Sequence, residues 1–350
     1  MNLMSKIQRM HYSKFKHTPL MCALLAPSFF YNIGINIKNF LYEKNVLKEK
    51  KVNAKVICFG NLTTGGVGKT PIVIEVANQL SRENKVCVIS RGYKGKLSSK
   101  NVNVIKDYEK IIIEDPILSG DEPNLIAKNI PNAMLITCAN RVKAANYAIE
   151  KYGAEIIILD DGFTNRKLKK DVQILLFDAE KMVGNGKLLP AGPLREPLKE
   201  IKRGNKILLI NKSAKEFELT EKIIKFFNYK SIEVCNVVPD VYINPSTEEK
   251  ISKKQKNIYA FCAIGQPDSF YNFLKKDFNV LGVSTYSDHH QYKEADIKEL
   301  EQNALSRGAD AIITTEKDYV KISKYNFSKI PLFVLKLKNE LNIERLLSWN

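Results

Sequence analysis

The chain has 350 residues, and 44% of them are apolar, ample for two or three packed cores. Its 55 Lys and Arg against 38 Asp and Glu leave a formal charge of +17, which points to an acidic partner: nucleic acid, anionic lipid or a phosphorylated substrate. The six cysteines (22, 58, 87, 138, 235, 262) have no C-x-x-C spacing and several sit in apolar runs, which argues against a disulfide framework or a zinc site and for buried thiols in a reducing compartment.

The charge is concentrated early: up to Lys55 there are ten Lys and Arg and only Glu43 and Glu49 as acids. Within this basic flank lies an apolar stretch, Pro19 to Phe30, continued more sparsely to Leu41. A spanning helix needs roughly 20 apolar residues, and Pro27, Ser28, Asn32, Asn36 and Lys38 interrupt this one. A cleaved signal peptide conflicts with the nucleotide motif that follows. An apolar helix lying in the membrane interface, with cations toward anionic headgroups, fits best. The competing reading is an amphipathic helix packed on its own domain. Residues 1–50 are therefore expected to form a membrane-associated segment of a monotopic protein on the cytoplasmic leaflet.

Next comes an apolar run, Val56 to Phe59, then Gly60-Asn61-Leu62-Thr63-Thr64-Gly65-Gly66-Val67-Gly68-Lys69-Thr70-Pro71, then a helical pattern. Strand, glycine-rich turn and helix make a phosphate cradle whose backbone N–H groups face phosphate oxygens. The segment Thr63–Thr70 is the candidate nucleotide-binding loop, with Lys69 at the phosphates and Thr70 on Mg²⁺. Thr63 stands where the consensus places its first glycine, and Gly65 and Gly66 form a shifted pattern.

Downstream, apolar strand-like runs alternate with helical patterns: Lys85–Ser90, Met134–Thr137, Ile156–Leu159, Ile174–Phe177 and Ile207–Ile210. Runs that are apolar throughout suit parallel strands covered on both faces. A doubly wound α/β core is expected over 51–235, with ligands at the carboxyl ends of its strands. Residues 236–257 are polar and carry Pro239 and Pro245, so they read as a linker. A second α/β set over 258–350 includes Ile258–Ala263, Phe278–Ser284, Ala311–Thr314 and Leu332–Leu335.

Several short motifs stand beside these runs. Asp160 and Asp161 close an apolar strand, as carboxylates that hold Mg²⁺ or its water shell do in P-loop proteins; Asp and Gly are also ordinary turn residues. Ser119-Gly120-Asp121-Glu122-Pro123 reads equally as a helix N-terminus. Ser287-Asp288-His289-His290 holds two of only four histidines, as a general base with a carboxylate, a metal fragment or a turn. The loop Gly184–Pro197 ends in Arg195-Glu196 and suits an active-site wall in which Arg195 meets phosphate; a surface loop fits as well. Thr314–Asp318 lines a cleft or caps the next helix. Asn211-Lys212-Ser213-Ala214 lacks the Asp that guanine recognition requires. No aromatic-rich basic platform marks a nucleic-acid binder.

Taken in order, these blocks resemble the tetraacyldisaccharide 4′-kinase family, which phosphorylates lipid A precursors. The resemblance rests on GNLTTGGVGKTP, SRGYKGK (90–96), GDEP (120–123), DDGF (160–163), GNGKLLPAGPLREP (184–197), SDHHQY (287–292) and TTEKD (314–318). Thr164-Asn165 departs from the Gln-His that commonly follows DDG and a hydrophobic residue in the family. The resemblance implies an α/β/α P-loop core, a smaller α/β/α lid domain, a two-stranded linker, and transfer from ATP with Mg²⁺ to the 4′-hydroxyl of a tetraacyldisaccharide 1-phosphate, giving lipid IVA. It implies Asp121 as general base with His289 as its partner and Lys69 at the phosphates. Thr70, Asp160, Asp161 and Glu196 would form the metal shell, and Arg91, Arg141 and Arg195 are weaker candidates for substrate phosphate. Its partners would be the glycolipid and an anionic membrane surface, with no nucleic acid and no obligate protein partner. The competing class is a membrane-associated P-loop ATPase switch, which has no use for a base-and-histidine pair.

Overall fold

The computed structural model describes all residues except 1–6, 8, 9, 13–18, 94, 214–216, 229, 252–255, 266, 288, 289, 349 and 350. The chain divides into two units: 1–211 with 217–235 and 341–350, and 212–216 with 236–340.

The first unit holds β1 (Lys55–Gly60), β2 (Val86–Ser90), β3 (Asn103–Lys106), β4 (Met134–Thr137), β5 (Ile156–Asp160), β6 (Val172–Asp178), β7 (Lys206–Asn211) and the opening residues of β8 (Ser231–Ile243), in the order β3-β4-β2-β5-β1-β6-β7-β8. From β4 to β7 the strands pair in parallel, and edge strand β3 runs antiparallel to β4. Neighbouring strand residues point to opposite faces. Val56 and Cys58 pack with Ala144, Ala145 and Ala148 on one side, while Ile57 and Phe59, also fully enclosed, face the other. Covering both faces needs strands without polar interruptions, which is why the apolar runs became strands.

In chain order the helices of this unit are α1 (Pro19–Glu43), α2 (Lys69–Leu80), α3 (Pro116–Ser119), α4 (Asp121–Asn129), α5 (Arg141–Tyr152) and α6 (Glu221–Phe226). By length and composition α1 could cross a membrane. Its polar side chains nevertheless dock on its own unit. Ser28 Oγ donates to Leu188 O (2.9 Å), Tyr31 OH to Arg195 O (2.9 Å), and Lys38 and Asn39 to Glu196 (2.9 and 2.8 Å). The opposite side exposes Leu25, Phe29, Phe30, Ile33, Ile37 and Phe40, with Phe30 71% accessible. This polarity is inverted relative to a helix packed on a soluble core.

The second unit arranges β9 (Asn257–Cys262), β10 (Asn279–Thr285), β11 (Ala311–Thr315) and β12 (Leu332–Glu340) with the rest of β8, in the order β10-β9-β11-β12-β8. Ile258, Ala260 and Cys262 face α7 (Pro267–Asp277); Tyr259 and Phe261 face α8 (Glu294–Ser306) and α9 (Glu316–Ile322). This unit too is a sheet between helices. The chain ends with α10 (Ile343–Leu347), back in the first unit.

Residues 236–243, read from sequence as part of a linker, are strand: β8 pairs antiparallel with β12. Pro239, which cannot donate to a ladder, sits where the register shifts and Asp240 is left over as a bulge.

Candidate functional site

The glycine-rich loop joins β1 to α2, so its backbone is set by a buried strand on one side and a helix on the other. Gly65 (φ 106°) and Gly68 (φ 103°) are left-handed, a conformation that side chains with a Cβ resist, and Gly68 caps α2. A Cβ on Gly66 would have nothing within 4 Å, so the outer side of the loop is open. Val67 is buried and anchors the turn, while Lys69 and Thr70 open α2, where N–H groups and the dipole favour an anion.

Thr63 is buried, and the reason is a second segment. The 184–197 loop runs alongside the phosphate loop: Thr63 bridges antiparallel to Leu194, Thr64 N donates to Pro193 O (2.7 Å), and Arg195 N to Leu62 O (2.6 Å). Thr63 is therefore a paired, extended residue, which accounts for the missing glycine. Tyr12 OH donates to Thr64 O (3.0 Å), and His11 Nε2 lies 3.0 Å from Pro190 O. The segment before α1 thus touches both loops.

These contacts converge on four side chains. Asn61, wholly buried, uses Nδ2 to hold Thr63 O (2.7 Å). Its Oδ1 accepts from Lys69 Nζ (3.0 Å) and from Arg195 Nη2. Arg195 also grips Asp161 bidentately, at 2.8 Å to each oxygen, and Lys69 Nζ is 3.7 Å from Asp161. Asp161 itself is left-handed (φ 55°), an uncommon state for a residue with a side chain and one often found at functional sites. Burial works to raise its pKa, but Lys69, Arg195 and Arg141 outweigh it and hold the carboxyl well below the usual range. Asp160 meets the opposite fate. It is 4% exposed, its Oδ2 accepts from Ser90 Oγ (3.2 Å), and its Oδ1 has no hydrogen-bond partner among the described residues. Burial pushes its pKa up to about 6, Lys69 opposing and Glu122 and Asp161 adding to the rise. An enclosed carboxylate oxygen without a donor, beside a cation-gripped carboxylate at a strand end, fits a hard divalent cation. Among the described residues no three His, Cys, Asp or Glu side chains cluster as a complete metal set, consistent with Mg²⁺, which keeps waters and phosphate oxygens among its ligands.

The other expected residues fall in different places. Asp121 is the first residue of α4, after Gly120 in a positive-φ conformation that lets the chain pass Tyr93 O closely. His289 lies outside the described residues. Its neighbour His290 stacks on Tyr286 (4.6 Å) and meets Asp296 at 3.1 Å, a local packing role. Arg141 is buried near the aspartates, and its Nη1 is committed to the carbonyls of Ser90 (3.0 Å) and Cys138. Arg91 is exposed on the loop after β2. Glu196, expected in the metal shell, is turned the other way: its oxygens face Lys38 (2.9 Å), Asn39 (2.8 Å) and Arg203 (3.5 Å). In extended chain consecutive side chains alternate, so Arg195 enters the site and Glu196 anchors α1. Thr315 caps α9, its Oγ1 accepting from Asp318 N (3.2 Å), and Asp318, fully buried in the first turn, accepts from Thr315 Oγ1 (2.7 Å), Ala263 N (3.0 Å) and Tyr292 OH (3.1 Å). Sequence reasoning missed Asn61, although its place just after the strand and before the glycines was a usable signal.

The family model described as tetraacyldisaccharide-1-P 4′-kinase matches residues 20–349. A tetraacyldisaccharide 4′-kinase of Halothermothrix orenii is 36% identical over 333 residues, covering 89% of this chain and 86% of the relative. One from Desulfotalea psychrophila is 33% identical over 312 residues, covering 85% and 87%. A crystal structure described as the "apo" form of LpxK from Aquifex aeolicus in complex with ATP matches with a TM-score of 0.74 and 33% identity, over 94% of this chain and 97% of that one.

Proposed function

The chain belongs to the tetraacyldisaccharide 4′-kinase family, and we propose from that premise that it transfers the γ-phosphoryl group of ATP to the 4′-hydroxyl of a tetraacyldisaccharide 1-phosphate, giving lipid IVA in lipid A synthesis. The observation that carries this reading is the pair of cations, Lys69 and Arg195, held by Asn61 and Asp161 at the open glycine-rich loop.

Phosphoryl transfer depends on positioning and charge neutralisation. The loop N–H groups and the start of α2 receive the phosphates. Lys69 and Arg195 are pre-placed where negative charge spreads over the transferring group, and neither must reorganise far to meet it. Thr70, Asp160 and Asp161 would hold Mg²⁺, which when bound neutralises phosphate charge. Asp160, unsatisfied on Oδ1, has a lone pair available for that purpose. Asp121 would accept the proton of the attacking hydroxyl. His289 is its proposed partner.

The inverted polarity of α1 supports a peripheral, monotopic enzyme on the cytoplasmic face of the inner membrane. Its polar side holds the enzyme and its apolar side would enter the lipid layer where the substrate resides. The test is incubation with γ-labelled ATP, Mg²⁺ and the disaccharide 1-phosphate in detergent. Label should pass to the lipid with the wild type. Asp121→Ala should lose transfer and keep ATP binding. No transfer by the wild type rejects the activity, and full turnover by Asp121→Ala rejects the assigned base.

A further inference from the structure

A cleft of about 490 Å³ opens at the C-terminal end of α1, its walls including Tyr42, Leu47, Lys48, Glu49, Arg166 and Lys169. It is separate from the phosphate loop: α1 meets Arg195 through Tyr31, and the helix rises a further ~16 Å before Tyr42. The cleft is built around cations. Arg166 stacks its guanidinium over the Tyr42 ring at 4.7 Å, donates from Nη1 to Asn39 O (3.3 Å), and meets Glu49 through Nε (3.3 Å). Its Nη2 makes no hydrogen bond among the described residues. Two backbone bonds, Lys50 N to Lys167 O (2.7 Å) and Lys169 N to Lys50 O (2.9 Å), hold the segments carrying Lys48 and Lys169 side by side. Three cations thus share the cleft with one carboxylate. Val46 and Leu47, which follow α1 in the chain, are 68% and 39% exposed, and Leu47 is itself part of the cleft wall.

A receptor for an anion therefore lies at the edge of the surface that would enter lipid. We infer that this cleft binds the phosphate headgroup of an anionic phospholipid of the bilayer, with Val46 and Leu47 against its acyl chains. The inference rests on the membrane reading of α1. It adds a second, charge-selective contact to an apolar one, the combination that stable peripheral binding requires. A basic residue near an anionic surface contributes about fivefold in affinity, so the three together are worth roughly 100-fold at most, and less where Glu49 offsets Arg166.

The test measures binding of the full-length protein to phosphatidylcholine vesicles and to the same vesicles carrying about one-third phosphatidylglycerol. The variant is Lys48→Gln/Arg166→Gln/Lys169→Gln. A control with the same loss of charge is Lys128→Gln/Lys143→Gln/Lys151→Gln, all exposed on other helices. The wild type should prefer anionic vesicles, and the cleft variant should lose that preference by tenfold or more. Its binding to neutral vesicles and its transfer rate in detergent should stay unchanged, and the control should retain the preference. Lys48→Gln/Lys169→Gln alters only exposed side chains and should show part of the same loss if Arg166→Gln impairs folding. Retained preference in both cleft variants, or equal loss in the control, overturns the inference. So does a raised KM for the disaccharide with vesicle binding unchanged, which would assign the cleft to substrate, or saturation by millimolar inorganic phosphate without vesicles. A wild type that binds neutral and anionic vesicles alike overturns this inference alone. One that binds neither overturns the membrane reading with it.

Discussion

Replacing Asp160 with Asn removes a negative charge from an enclosed position while keeping the side chain's shape and its bond with Ser90 Oγ (3.2 Å). Burial pushes the Asp160 pKa up to about 6, whereas an unfolded Asp titrates near ~3.9. Between those values the native state binds more protons than the unfolded one, so stability falls as pH rises through the window and the deficit is complete above it. A difference of roughly two pH units corresponds to about 3 kcal/mol. Asn carries no such deficit. Without metal or nucleotide, Asp160→Asn should be more stable than the wild type near pH 8 by up to about 3 kcal/mol, a rise in Tm of roughly 6–12 °C. The gain should shrink to roughly 0.5 kcal/mol near pH 4, where the native carboxyl is protonated and the unfolded one about half so. Thermal unfolding at the two pH values measures it, and the same variant should lose the extra stabilisation that Mg²⁺ with ATP gives the wild type. Equal melting temperatures at pH 8, or the same gain at both pH values, would refute the reasoning.

Arg195→Lys keeps the charge but loses the fork that grips Asp161 and Asn61 together, and kcat should fall by roughly 10²-fold with little change in Tm, as steady-state kinetics and melting would show. Glu196→Ala removes the carboxylate that Lys38 and Arg203 share, leaving Arg203 with Glu200 alone, costing about 3 kcal/mol and making α1 easier to cleave in limited proteolysis. Glu196→Gln should be milder, since the unpartnered Asn39 Oδ1 is able to accept from the new amide; equal effects of the two would contradict an anchoring role. Gly192→Ala would drive a Cβ into Asn185 Oδ1 and Lys187 O, so the 184–197 loop must rearrange. Denaturant titration should show a loss of about 2 kcal/mol or more, and activity should fall with it.

Much of the core was legible because parallel strands covered on both faces leave uninterrupted apolar runs, as Ile156–Leu159 does. The residue pattern missed β3 and β8 for the opposite reason, although the family resemblance implied a two-stranded linker where β8 and β12 pair. The first is a four-residue, partly exposed edge strand; the second alternates buried and open positions and carries Pro239. The phosphate loop could be read from its glycines, but Thr63 made sense only once Leu194, distant in sequence, lay beside it. Composition similarly marked Arg195-Glu196 as one functional pair. It could not show that adjacent side chains of an extended segment part company, one to Asp161 and the other to α1. The Asp pair had the same ambiguity: two neighbouring carboxyls of equal chemistry acquire opposite proton affinities from a few ångströms of surroundings.

The main segment of the second unit begins and ends on one rung of the β8–β12 ladder, where Asn236 pairs with Glu340. In genetic terms 236–340 is an insertion with abutting ends. A two- or three-residue turn would suffice to close the gap it leaves, and the excised piece keeps its own sheet between helices. Ring-closure entropy grows slowly with loop length, so the host unit is burdened little by so large a guest, and the guest is free to diverge in sequence without disturbing the strands that bracket the phosphate loop.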